Sequence, residues 1–154
     1  MKDTDIVKNN MKSLQITSMA MIFGIVTFMA VGVFMTFTEG PVVPIDQETL
    51  YMIAGGIVLL TILSVAGGNF IFKKKIAALD PTQDIQSRMI QYRTAVIIRL
   101  ALMEMPAFVS CVALLILGDY TLLAGAALSV LAMLYFMPKA AVVFRDLGIN
   151  AWDV

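Results

Sequence analysis

There is no histidine in this chain and only one cysteine, Cys111. A disulfide within the chain is therefore impossible, and Cys/His zinc motifs are excluded. Charge is also scarce, with 14% of residues Asp, Glu, Lys or Arg against about 25% in an ordinary soluble domain. The 11 basic and 11 acidic residues cancel, so a nucleic-acid role has no global electrostatic support. The connections between apolar runs are too short to assemble a site for a water-soluble substrate. An enzyme acting on lipid would need a nucleophile or metal near the interface, and the carboxylates are scattered. No catalytic activity, metal or cofactor is expected.

What fills the chain instead is apolar side chain: 60% hydrophobic, with a mean hydropathy of +0.88. Four runs stand out, at about 14–37, 50–72, 95–117 and 121–137. A bilayer crossing takes about 20 apolar residues, within a range of about 17–25. All four qualify, the last being the shortest. The expected fold is all-α: a polytopic membrane protein, one transmembrane domain over residues 1–154, with four transmembrane helices in an antiparallel bundle. The first run exceeds the ~7–15 residues of a signal-peptide core and reads as retained. The twelve methionines show no repeated cluster, so they read as adaptable packing rather than a soft-metal path.

The basic residues orient the bundle. Lys2, Lys8 and Lys12 precede the first run. Lys73, Lys74, Lys75, Arg88 and Arg93 separate the second from the third, and Lys139 and Arg145 follow the fourth. The connections at about 38–49 and 118–120 hold no Lys or Arg, only Glu39, Asp46, Glu48 and Asp119. Translocation of positive charge is disfavoured, which puts both termini and residues 73–93 in the cytoplasm of a multi-pass protein of the inner (plasma) membrane.

The connections have their own signals. Two prolines in "GPVVPIDQE" (40–48) cannot continue a helix. In "LDPTQD" (79–84), Asp80 suits an N-cap, Pro81 the first helical position and Gln83 a capping box. This predicts a cytoplasmic helical extension over about 81–94 that runs into the third span. After Pro138, "KAAVVFRDLG" can extend the fourth helix, with Gly148 as its stop. Trp152 is either an interfacial anchor or part of an unstructured tail.

The third span holds the candidate site, in "RLALMEMPAF" (99–108). If hydrocarbon begins near Ala95, a rise of about 1.5 Å per residue puts Arg99 roughly 6 Å deep, from where its long stem can snorkel to headgroups. Glu104 would lie roughly 13 Å deep, near the middle of a ~30 Å core. From there it must pair, hydrogen-bond while protonated, or face a wet cavity. Five residues turn Arg99 and Glu104 off the favoured helical contacts. Pro106 frees the Leu102 carbonyl and should kink the helix, which could bring the two charges together. Glu104, with Arg99, is thus the ion- or proton-binding candidate, and a structural hydrogen bond is its competing reading.

Two weaker patterns concern association. Ser64 with Gly68 and Gly125 with Ser129 have the spacing of close helix contacts, either inside one bundle or between copies. Lys73, Lys74 and Lys75 read first as a stop signal and second as a lipid-headgroup site.

The run "RTAVIIRLALMEMPAFVSCVALLIL" (93–117) resembles the ion-binding outer helix of the rotary ATPase proteolipid, the c-type subunit. Arg93, Thr94 and Glu104 match that helix's Arg, following Thr and Glu eleven residues after the Arg, and "VAGGNF" (65–70) is similar to its Gly-rich partner. The resemblance implies that Glu104 is an ion-binding carboxylate. The chain departs from the family in lacking the alternating glycine series, in carrying Arg99 within the helix, and in holding its acid in the third span. As a whole it resembles small four-helix bacterial membrane proteins, a likeness that implies no activity. The expected function is association within the bilayer, as an accessory subunit or homo-oligomer. The alternative is proton or ion handling through Glu104. The expected partners are the lipid bilayer and a second copy or larger membrane complex, with no nucleic acid.

Overall fold

A computed structural model describes residues 3–148, and every regular element among them is a helix. The helices are α1 (Asp3–Glu39), α2 (Gln47–Ala77), α3 (Ile85–Leu117), α4 (Leu123–Tyr135) and α5 (Ala140–Asp146). A single 3₁₀ turn, Tyr120–Leu122, leads into α4. Lys2 and Trp152 lie outside the described residues.

Apolar residues surround α1 and α2 on all sides, the pattern of a helix whose surroundings are themselves apolar. A helix also satisfies its own backbone polar groups, which hydrocarbon cannot do. Val7–Glu39, Gln47–Ala77 and Ile85–Leu117 are each long and apolar enough to cross a membrane, with mean hydropathies of 2.2, 2.1 and 2.2 over an 18-residue stretch of each. Tyr120–Tyr135 and Ala140–Asp146 pass the same test only as one span bent by 67°. The chain is thus compatible with a multi-pass membrane protein of three to four spans. The 37 residues of α1 reach about 55 Å, well beyond a ~30 Å hydrocarbon core.

Two boundaries differ from the sequence reading. Helix α3 begins at Ile85, not near residue 81, because Asp84 takes the N-cap and accepts from the Ser87 amide at 3.0 Å. Asp80 instead closes a tight turn: its side chain accepts from the amide and hydroxyl of Thr82, and its carbonyl from the Gln83 amide. The Gln83 side chain, free of any capping box, accepts from Gln91. At the other break, α5 does not extend α4. Pro138 has no N–H to give and keeps the preceding residue out of helical conformation, so the chain turns by 67° before resuming at Ala140. Gly148 does act as the stop, in left-handed conformation with φ of 66°.

Helix α3 is central, packing on α1, α2 and α4. Its apolar window is 39% buried, against 22% for α1 and 17% for α2. Helix α4 wedges between α2 and α3 at Gly125, where an added Cβ would come within 2.4 Å of Ile57 and 2.6 Å of the Ser110 hydroxyl. At the acidic end, the 40–46 loop sits on the α3–α4 turn. Val42 and Val43 amides donate to the Ile116 carbonyl, and Gly118 (φ 69°) lies so close to Pro41 that a Cβ would meet it at 2.8 Å. At the basic end, Val7, Met11, Met89, Val143 and Leu147 form a buried layer that joins the start of α1, the start of α3 and α5. Arg88 reinforces this layer by donating to the Leu147 carbonyl.

Candidate functional site

The turn after α4 leaves carbonyls without helical partners, and Arg99 takes one of them. Its Nη2 donates to the Phe136 carbonyl at 2.7 Å. The guanidinium carbon lies 4.0 Å from the Phe72 ring centre and 5.1 Å from that of Phe136. A cation at a helix C-terminus meets the negative end of the helix dipole, and a guanidinium over aromatic faces gains further attraction. Arg99 is only 7% exposed. It therefore turns into the protein instead of snorkelling to headgroups, because the broken α4 supplies a carbonyl and two rings within its reach. Directly below it, Gly68 lets α2 approach the Arg99 carbonyl, with a would-be Cβ at 3.2 Å.

Around Arg99 lies a cavity of about 230 Å³, lined by Phe72, Tyr92, Tyr135, Phe136, Pro138 and Lys139 among others. Phe72 and Tyr92 meet edge to face with ring centres 5.7 Å apart. Asp146, on α5, forms an ion pair with Arg145 at 3.2 Å. Sequence reasoning missed this cluster. A signal was present: Phe72, Tyr135 and Phe136 stand where apolar runs give way to the first basic residues, the depth at which aromatic side chains gather.

Glu104 is apart from this cluster and does not pair with Arg99; the one ion pair among the described residues is Arg145–Asp146. Glu104 is half-buried and has no hydrogen-bond partner among the described residues, the Leu102 carbonyl included. It lies on the edge of α3 nearest α1: one turn on, Phe108 meets Phe28 of α1 with ring centres 5.4 Å apart. Pro106 is buried and lies inside an unbroken α3. Lys73, Lys74 and Lys75 are exposed in the last turns of α2.

The small residues divide by role. Gly68, Gly125 and Ser129 are buried between helices of this chain. Gly24, Gly55, Gly56 and Gly67 meet nothing within 4 Å of a would-be Cβ. The Ser110 and Ser129 hydroxyls, buried in α3 and α4, have no partner among the described residues. Among the described residues no group of His, Cys, Asp or Glu could hold a metal ion. In the connections, Asp46 and Asp119 each accept from a backbone amide and a hydroxyl a few residues on, Asp84 accepts from the Ser87 amide, and hydrogen bonding holds all three carboxyls below the usual carboxylate range. Comparison with family models, curated proteins and solved structures finds no match to this chain.

Proposed function

We propose that the chain is a multi-pass protein of the inner (plasma) membrane, four spans in an antiparallel bundle with both termini cytoplasmic, that works by associating with other membrane helices. It would serve as an accessory subunit or as a homo-oligomer. The observation that carries this reading is Glu104: a half-buried carboxyl in the most apolar part of α3, without a donor among the described residues. A carboxyl at that depth needs a partner or water, and association supplies the partner from outside the chain. The open glycines of α1 and α2 are consistent with this, since close helix approach requires small residues.

The test is native mass spectrometry of the full chain extracted from its own membranes in mild detergent, beside the Glu104→Leu variant. The expected result is an assembly larger than one chain, lost in the variant, with unfolding of the single chain shifted by no more than about 0.5 kcal/mol. A single chain in native membranes after cross-linking would reject it.

A second reading, proton or ion handling by Glu104, is favoured by the same unpartnered carboxyl and by the resemblance of residues 93–117. Its test is flux through proteoliposomes of the pure chain. Flux abolished by Glu104→Gln would support it, and absence of flux in the unaltered chain would reject it.

A further inference from the structure

Arg99 is a buried cation without a buried anion. Among the described residues the only ion pair joins Arg145 to Asp146, and Asp146 acts on Arg99 from beyond ion-pair distance. One Nη is used by the Phe136 carbonyl, and the two phenylalanine rings cover the guanidinium. Its Nε is buried and has no partner among the described residues. A buried charge left with free donors is strongly unfavourable unless something accepts from them. The cavity that Arg99 lines holds a second cation, Lys139, and no acidic residue. Its volume of about 230 Å³ is several times a water's ~30 Å³ share of liquid. It opens at the depth where Phe72 gives way to Lys73, Lys74 and Lys75.

We infer that this cavity is a binding site for a phosphate group, held by the Arg99 guanidinium and the Lys139 ammonium. The Nη donors of Arg99 that the Phe136 carbonyl leaves free suit phosphate oxygens, whereas Lys139 contributes a flexible point charge at the rim. The phosphate can come from an anionic phospholipid headgroup or from a soluble phosphate compound. Its position at the boundary between apolar helix and basic residues favours the lipid, a source that rests on the bilayer reading above. Basic pockets between membrane helices are suited to such headgroups. A purely structural role for Arg99, as a cap on α4, would not make ligand retention depend on Lys139.

The full chain, delipidated in mild detergent, is offered phosphatidylglycerol, phosphatidylcholine or inorganic phosphate, and bound ligand is read by native mass spectrometry. Phosphatidylglycerol should be retained about tenfold better than phosphatidylcholine, and Lys139→Gln should lower its retention about fivefold. Lys12→Gln lines a different cleft and should leave retention unchanged. Arg99→Gln should abolish it; should that variant not fold, exposed Lys139 carries the test alone. Competition by inorganic phosphate would support the site and assign it to a soluble ligand, whereas its failure to compete would assign the site to lipid. Equal retention of the two lipids with no binding of inorganic phosphate, or equal losses in Lys12→Gln and Lys139→Gln, would overturn the proposal. Glu104→Leu should not alter retention, so failure here and failure of the association reading are separate results.

Discussion

Gly125 and Arg99 show how much one position depends on its neighbours. A methyl group at Gly125 would collide with the branched Ile57 and with Ser110, both of which are buried. Gly125→Ala should therefore destabilise the chain by about 1–3 kcal/mol, the usual cost of overpacking. At Gly55, where nothing lies within 4 Å, the same change should be neutral or stabilise by up to about 1 kcal/mol through helix propensity. Equilibrium unfolding in mixed micelles measures both, and an equal loss at the two positions would contradict the packing described. Arg99→Met keeps a long apolar stem and loses the Phe136 carbonyl, and should cost about 1.5–3 kcal/mol in the same assay. The Gly125–Ser129 spacing was legible in the sequence. That α4 uses it inside this chain, against Ile57 and Ser110, was not, because spacing names a face and not what covers it.

At the scale of the element, helix ends are governed by short-range chemistry. Asp46, Asp84 and Asp119 accept from Thr49, Ser87 and Thr121. Their carboxyls titrate lower in the folded chain than in the unfolded one. The stability they contribute is therefore fully present above the ordinary carboxylate pKa and is lost as pH falls through their lowered folded values. Unfolding midpoints in detergent should hold level from neutral pH to about 5 and fall below about 4; in the triple Asp→Ala variant that acid limb should flatten. Pro138 controls the other kind of boundary. Pro138→Ala restores an N–H, so α4 should run on into α5. The distance between spin labels at Leu131 and Arg145 should then lengthen toward the ~21 Å of a straight helix. An unchanged distance would mean that packing of Val143, Phe144 and Leu147 sets the bend. The end of the fourth run at Pro138 and the stop at Gly148 were visible in the sequence, whereas its capping pattern points to Asp80 as the N-cap of α3. The competition between Asp80 and Asp84 was not visible, since each is a good cap and only the closure of the Asp80 turn leaves the helix to Asp84.

For the whole molecule, charge separates the two ends. The connection at 40–46 and the 118–120 turn meet at the acidic end, through Pro41 and Gly118, while the lysine-rich turns gather at the other. Single cysteines replacing Gln47 and Gln86 should accordingly be labelled from opposite faces of the membrane, the first from outside. Cys111 is buried and should stay silent, and labelling of both sites from outside would overturn the orientation.

Apolar length, backbone self-satisfaction in helices and the partition of lysines are local or additive properties. The all-helical class and the apolar spans could therefore be read from residues alone, and the lysines give an orientation to expect. The surroundings of Arg99 and Glu104 could not, because they depend on how segments far apart in the chain seat against one another. Arg99 meets Phe136 because Pro138 ends α4 beside it and Gly68 lets α2 come close. Glu104, five residues further along α3, turns to an edge where none of the described residues offers a donor.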